Sequence, residues 1–417
     1  MTETHPPERG TGRARAEACP RGVTWRVRYD FDRVIERRGT GSTKWDMLAT
    51  RFDAADAIPM WVADMDFESP KPVVDALVQR AQHGVYGYTM KPDDYFDAIA
   101  GWQKRRHGWD VKADWISESP GVVSGLSWVV DALTQPGDRI LIQPPVYHPF
   151  KALVEALGRT VVENPLRFDG SRYTMDFDDL RAKAKGCKAL ILCSPHNPVG
   201  RVWNAQELRE LGTICLENGV LVLSDEIHHD LILPGAKHTP FASLGEPFAR
   251  GSVTCIAPSK TFNLAGLATS VVILPDPDLK ARYEAHLNRL HVRAGGIFGN
   301  LALTVAYREG DEWLDQVLVY LGGNRDLVME HLSRGPIKAI ATEGTYLMWL
   351  DCHALGMADE PMDQWFRHEA KLVMNAGAMF GTGGSGFIRL NVGSPRSVVA
   401  QALGNIEGAL GRLRRDA

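Results

Sequence analysis

Apolar residues occur as short, uninterrupted runs through the middle of the chain, at 139–142, 188–193, 220–223, 253–257 and 270–274. Runs this short, without polar alternation, read as strands buried on both faces. Stretches with helical spacing lie between several of them, notably 149–157 and 204–218. Strands alternating with helices predict an α/β fold with a mostly parallel sheet covered on both sides. Upstream, Tyr95, Phe96, Ile99 and Trp102 share one face of a helix predicted over 93–107. Pro72 opens another that runs to about His83. Between them lies a glycine-punctuated loop with two tyrosines, 84–89. Residues 119–133 read as a loop turning into a buried helix, with Ser119 as its cap and Pro120 in its first turn. The first turn carries no acidic side chain, so its unpaired N–H groups suit an anion.

The texture changes after about residue 310. A long helix over 313–332 leads into a mixed segment that ends in Ile388-Arg-Leu-Asn391, and a last helix starts at Val398. Four regions are therefore expected. Residues 1–22 form a disordered leader, rich in Pro, Gly, Arg and Glu. Residues 23–66 form an N-terminal arm and part of a small domain, 67–309 a large domain, and 310–417 a small C-terminal domain.

Composition changes this picture little. The chain of 417 residues is 44% hydrophobic and 24% charged, ordinary for a globular protein. The formal net charge of −4 and the lack of a long basic run argue against nucleic-acid binding. No apolar stretch reaches membrane-spanning length, and the start lacks a signal-peptide apolar region, so a cytoplasmic protein without a membrane partner is expected. The six cysteines show no CxxC spacing and read as reduced, buried thiols.

The candidate chemistry centres on Lys260, the one charged side chain between Arg250 and Asp276. It follows a strand-like run and a Pro258-Ser259 break. Desolvation there would lower its pKa and make the amine a nucleophile able to form a Schiff base. Two other runs end in polar groups, Asn197 after 188–193 and Asp225 after 220–223. Ligands bind outside the carboxyl ends of strands in an open parallel sheet, so the three can share one rim. An amine, a carboxylate and an amide around an anion site suit pyridoxal 5'-phosphate.

Two motifs point elsewhere. Gly381-Thr-Gly-Gly-Ser-Gly386 fits a dinucleotide-binding spacing, but it precedes a strand-like segment and opens no helix, so a turn is the better reading. Asp225-Glu-Ile-His-His-Asp230 has metal-ligand residue types without HExxH spacing. A metal-dependent hydrolase would leave Lys260 unexplained, and no metal is expected. A non-catalytic regulator is the other alternative.

Several stretches carry a resemblance to a known family. They are Lys44-Trp-Asp46, Trp61-Val-Ala-Asp-Met-Asp-Phe67, Gly84-Val-Tyr-Gly-Tyr88, Pro144-Pro-Val-Tyr-His-Pro-Phe150, Cys193-Ser-Pro-His-Asn-Pro-Val-Gly200, Ser224-Asp-Glu-Ile-His-His-Asp230, Ser259-Lys-Thr-Phe-Asn263 and Phe387-Ile-Arg-Leu-Asn391. With them the chain resembles class I/II aminotransferase-fold enzymes (fold type I), and within these the cystathionine β-lyase/C–S lyase branch, the MalY/PatB-like group. The likeness runs from about Phe31 to Arg396.

The resemblance implies a role for each matching residue. Lys260 is the Schiff-base lysine and the proton carrier at Cα. Asp225 pairs with the pyridinium nitrogen, Asn197 bonds the phenolic oxygen, and Tyr147 stacks on the ring as a second catalytic residue. Gly121, Val122 and Val123 bind phosphate through backbone N–H groups, with Ser259 adding a hydroxyl. His228 stands where many aminotransferases have a cofactor-contacting tyrosine. Tyr88 reaches the phosphate of the neighbouring subunit of a homodimer, and Arg389 holds the substrate α-carboxylate. One departure is that Ala268 stands where aminotransferases place a phosphate-binding arginine, eight residues after the lysine; the C–S lyase branch lacks it too. The implied reaction is α,β-elimination from an S-substituted L-cysteine, giving a thiol, ammonia and pyruvate. Transamination, or action on another S-conjugated cysteine in specialised metabolism, are the alternatives on the same fold.

Overall fold

The computed structural model describes residues 25–292 and 296–416. The expected leader, 1–22, and Cys19 lie outside them. Among the described residues, seven strands form one sheet in the spatial order Ile116–Ser119, Ser270–Ile273, Ser252–Ile256, Leu221–Asp225, Cys187–Cys193, Arg139–Ile142, Thr160–Glu163. Neighbours pair in parallel except around Ser270–Ile273, which runs antiparallel to both its partners. The expected α/β class with a large, mostly parallel sheet is what forms.

The side-chain period of two explains why these runs lack polar alternation. Ala189, Ile191 and Cys193 join one apolar layer with Leu126, Val129 and Val130 of the helix Val122–Leu133. Leu190 and Leu192 face the other way, onto Leu208, Leu211 and Ile214 of the helix Ala205–Glu217. That second helix starts where a capping box dictates. The Asn204 side chain accepts from the Glu207 N–H while the Glu207 carboxylate accepts from the Asn204 N–H.

The helix Val122–Leu133 departs from expectation at its start. Its N-cap is Gly121, and no side chain caps it. Ser119 instead ends an edge strand, and its hydroxyl meets Ser270 Oγ at 2.5 Å and the Gly121 carbonyl at 3.1 Å. Pairing with Ser270 in the sheet holds Ser119 in strand geometry, so the first-turn N–H groups stay free of a protein side chain.

A second sheet has four strands, in the order Lys338–Ala339, Leu347–Asp351, Phe387–Asn391, Asn375–Ala376. The helices Asp311–Leu332 and Arg396–Asp416 pack beside it. The Gly381–Gly386 stretch is a turn leading into the strand Phe387–Asn391, as its context predicts.

The N-terminal arm is pinned to this half of the molecule. Ile58–Pro59 pairs in parallel with Leu372–Val373. Asp66 accepts from Lys44 Nζ at 2.7 Å, Arg37 Nη1 at 2.7 Å, Trp45 Nε1 at 2.9 Å and Ser394 Oγ at 2.6 Å. A fully buried lysine is tolerable only because the carboxylate and its further donors satisfy the pair. Asn391 Nδ2 donates to the Val62 and Asp64 carbonyls, which stretches residues 62–64 over the carboxyl ends of the large sheet.

Candidate active site

Strand ends and one helix start enclose a cavity of about 200 Å³. Its lining brings together Gly121, Val122, Val123, Tyr147, Asn197, Asp225, His228, Ser259 and Lys260, which are the expected positions. Two expected residues lie outside that lining. Arg389 is buried just behind it, with Nη1 donating to Asn197 Oδ1 at 3.0 Å. Tyr88 is fully exposed on the loop after the helix Lys71–Gln82.

Lys260 sits in the short helical turn Pro258–Thr261, directly after the strand Ser252–Ile256. Its ammonium donates to the Ala63 carbonyl, which also accepts from Tyr346 Oη at 2.9 Å. Burial lowers the lysine pKa to about 8 and outweighs the opposing pull of Asp64 and Asp225. An appreciable share of the amine is therefore neutral near physiological pH.

Asp225 ends the strand Leu221–Asp225 and is buried. Burial pushes its pKa up to about 7, with the Ile227 N–H its one hydrogen-bond donor among the described residues, at 3.1 Å. A buried carboxylate with a single neutral donor is a site built for a cationic N–H. The pyridine nitrogen of pyridoxal phosphate is such a group. His228 is buried on the same wall, and its Nδ1 has no hydrogen-bond partner among the described residues. Burial, then Lys260 and Arg389, hold it neutral.

The helix Val122–Leu133 opens at the cavity, its first turn in the lining with Ser259 and Thr269. This is a cradle suited to an anion, with no arginine in its lining among the described residues. The helix dipole and hydroxyl donors supply the positive potential. Together with Asp225 and Lys260, these groups make up the donor set that pyridoxal phosphate calls for, an amine, a carboxylate and an anion site.

Arg389 lies in the strand Phe387–Asn391 of the second sheet. Its Nη2 donates to the Trp61 carbonyl at 2.8 Å and Asn375 Oδ1 at 2.6 Å, while Nε has no partner among the described residues. Burial lowers its pKa to about 10, and no carboxylate pairs with it among the described residues. A buried guanidinium held by neutral groups suits a substrate carboxylate.

The metal-type motif resolves differently. The donor atoms of His107, His229 and Asp230 lie within 4.8 Å of one another. They are occupied by hydrogen bonds. Asp230 accepts from His107 Nε2 at 2.7 Å, Trp102 Nε1 at 2.9 Å and Thr261 Oγ1 at 2.7 Å. The network ties the loop after Asp225 to the turn of Lys260, since Thr261 is the next residue. All five cysteines among the described residues are free and buried, as expected.

Sequence reasoning missed three contributors. Ala63 acts through its carbonyl, which no side-chain pattern reveals. Thr269 follows Lys260 by nine positions and lines the cavity just after the chain turns through a left-handed Ala268, φ 48°. Cys193 lines the cavity at a strand end whose apolar character hid it.

A parallel sheet with a lysine, a carboxylate and an anion-binding helix start at its carboxyl rim defines the aminotransferase class of fold. The class I and II aminotransferase family model matches residues 56–406, and the chain belongs to that family. Cystathionine beta-lyase PatB of Bacillus subtilis is 44% identical over 385 residues, 91% of this chain and 100% of PatB. Among solved structures, cystalysin from Treponema denticola, which contains a pyridoxal 5'-phosphate cofactor, superposes with a TM-score of 0.90 at 37% identity, covering 93% of this chain and 100% of cystalysin. The PLP-bound C–S lyase from Staphylococcus hominis gives 0.87 at 33% identity, covering 93% and 99%. The family expected from the motifs is the one found.

Proposed function

We propose that the chain is a pyridoxal-phosphate-dependent C–S β-lyase that eliminates the thiol from an S-substituted L-cysteine. The observation that carries this reading is the cavity itself, with the Lys260 amine, the Asp225 carboxylate and the helix start at Gly121–Val123 on one rim, in a chain 44% identical to a cystathionine β-lyase.

When bound, pyridoxal phosphate supplies the electron sink for negative charge at Cα. Lys260 holds the cofactor, and its freed amine takes the Cα proton. Asp225 keeps the ring nitrogen protonated. Asn197, Tyr147 and His228 would hold the cofactor ring, Asn197 as a hydrogen-bond partner of its oxygen and Tyr147 by stacking. Gly121, Val122, Val123 and Ser259 hold the phosphate, and Arg389 fixes the substrate carboxylate so that the Cα–H bond is aligned. Proton loss at Cα and departure of sulfur with the Cβ–S electron pair leave an enamine. Water converts the released enamine to pyruvate and ammonia, and the thiolate takes up a proton.

The working enzyme is read as a cytoplasmic homodimer in which Tyr88 of each chain completes the phosphate site of the other. The exposed side chain of Tyr88 on an otherwise apolar loop (Val85, Tyr86 and Met90 are also exposed) supports this. We further propose a division into an arm over 23–66, a large unit over 67–309 and a small unit over 310–417. Among the described residues no helix is long and apolar enough to cross a membrane.

The test is turnover of cystathionine or a simple thioether of cysteine with no keto acid added. Sustained, equimolar release of pyruvate and thiol is expected. A requirement for a keto acid, with the amino group recovered on it and no thiol freed, would make the protein an aminotransferase.

A further inference from the structure

The carbonyl of Ala63, in the cavity wall, accepts two hydrogen bonds. One comes from the Lys260 ammonium and the other from Tyr346 Oη at 2.9 Å. The segment that presents this carbonyl is fastened on either side of it, because Asn391 Nδ2 donates to the Val62 carbonyl at 2.6 Å and to that of Asp64 at 2.7 Å. Tyr346 is buried, and the bond to Ala63 is the one its hydroxyl makes among the described residues.

The backbone is strained just before Tyr346. Thr345 is left-handed, φ 73°. A β-branched residue rarely adopts that conformation, and it persists where the surroundings enforce it. Here the Thr345 N–H donates to the Leu231 carbonyl at 2.6 Å, and Thr345 Oγ1 accepts from the Leu347 N–H at 3.0 Å. The Tyr346 carbonyl accepts from the Val392 N–H at 2.9 Å. These bonds fix the direction in which the phenol leaves the chain.

A carbonyl that bonds an ammonium favours the charged amine. A second donor on the same oxygen draws on the same negative charge, so the phenol weakens the carbonyl's hold on the Lys260 proton. Tyr346 serves as a neutral donor, since burial and then Asp64 hold its own proton firmly. The other groups that act on Lys260 are Asp64 from the arm, Asp225 from the large sheet, and Arg389 from the second sheet, with a neutral His228 nearby.

We propose that Tyr346 is a positioning residue for Lys260. Through the Ala63 carbonyl it fixes where the amine rests and eases its loss of a proton, and so sets the pH range in which Lys260 takes the Cα proton. This deepens the lyase reading and rests on it for the last step.

The first measurement uses cofactor-free protein. Trace labelling with acetic anhydride over a series of pH values, followed by peptide mapping, gives the midpoint at which Lys260 becomes reactive. In Tyr346→Phe the carbonyl is left to the ammonium alone, so the midpoint should rise by about half to one pH unit, a fraction of one hydrogen bond. Circular dichroism of the same samples checks the fold. If Tyr346→Phe does not fold, 3-fluorotyrosine at position 346 takes its place; this more acidic phenol donates more strongly, and the midpoint should fall. The second measurement follows Cα proton removal from S-propyl-L-cysteine in single turnovers of the holoenzyme. At pH 7 Tyr346→Phe should be about threefold to tenfold slower, with the gap closing as pH rises past both midpoints. An unchanged Lys260 midpoint, with any loss of rate equal at every pH, would overturn the proposal. A midpoint that rises while the proton-removal profile stays in place would overturn its last step, the role of Lys260 as proton carrier. Proton removal without thiol release would overturn the lyase reading and leave the link between Tyr346 and Lys260 standing.

Discussion

Arg389 Nη1 donates to Asn197 Oδ1 at 3.0 Å, across the gap between the two sheets. Arg389 comes from the strand Phe387–Asn391 and Asn197 from the loop after the strand Cys187–Cys193. One hydrogen bond therefore couples the group that would hold the substrate carboxylate to the group that would face the cofactor ring.

This coupling predicts how substitutions divide between kcat and KM. Arg389→Lys keeps a charge but loses the fork that spans Asn197, Trp61 and Asn375. We expect KM to rise about tenfold to a hundredfold, the size of a lost charge-assisted hydrogen bond. Asn197→Ala leaves Arg389 less well oriented and strips a cofactor contact, so it should raise KM and weaken cofactor retention together. Steady-state kinetics with a cofactor titration on each variant checks this. Normal KM in Asn197→Ala would sever the proposed coupling.

Asp225 predicts a pH signature in the cofactor-free protein. Burial raises its folded-state pKa to about 7, above the ordinary carboxylate value. The proton is held more tightly folded than unfolded, so stability from this group is greatest at low pH. It is lost as pH rises from about 4 through 7. Each tenfold gain in proton affinity is worth about 1.4 kcal/mol, so at pH 8 the ionised carboxylate costs the fold on the order of 4 kcal/mol. Cofactor-free Asp225→Asn should accordingly melt higher than wild type at pH 8, with the gap narrowing toward pH 5. Adding pyridoxal phosphate should raise the wild-type melting temperature more than that of the variant. Scanning calorimetry of both, with and without cofactor, gives the comparison; a gap that widened toward pH 5 would contradict it.

The sequence revealed the parts of this site that follow from strand ends. Asn197, Asp225 and Lys260 each close an apolar run, and a parallel sheet brings such ends to one rim whatever the loops do. It was silent where backbone atoms act, as with the Ala63 carbonyl under Lys260. It was misleading at Ser119, because cap preference is local while the pairing with Ser270 that holds this residue in a strand is not. The hydrogen-bond network of 225–230 was hidden for a similar reason. The partners that satisfy Asp230 are Trp102, His107 and Thr261, all remote from it in the chain. The strand pairing that fastens the arm was equally hidden, since Ile58 pairs with Leu372 near the other end.

Tyr88 predicts complementation between chains. Its hydroxyl makes no hydrogen bond among the described residues, and the side chain projects from its loop. If it completes the partner's phosphate site, Tyr88→Phe should weaken cofactor binding about tenfold or more, the value of one bond to a charged group. Mixing inactive Lys260→Ala with Tyr88→Phe should then restore activity above either parent, because one site of each hybrid dimer draws both intact residues. Sedimentation should give twice the 46.1 kDa chain mass. A fully active species at the single-chain mass would refute the shared site.

Lys260 carries the most exacting prediction, because two roles must be separated. The amine is proposed both to anchor the cofactor and, once freed, to take the Cα proton. Its pKa of about 8 reflects burial working against Asp64 and Asp225. The base must be neutral to act, so the single-turnover rate of proton removal should rise with pH and level off above about 8. Replacing Lys260 by Ala should cut that rate by about a hundredfold to ten-thousandfold, the usual contribution of a positioned base. The cavity left by the missing side chain is open to a small primary amine. Added ethylamine should therefore recover part of the rate in Lys260→Ala, in proportion to its free-base concentration. The anchoring role is read separately, by borohydride reduction followed by peptide mapping, which should place the cofactor on Lys260 in the wild type. Cofactor found on another lysine would remove the anchor. A Lys260→Ala enzyme that kept wild-type single-turnover rates would remove the base, and with it the argument that the strand end at 256–260 is the chemical centre of the molecule.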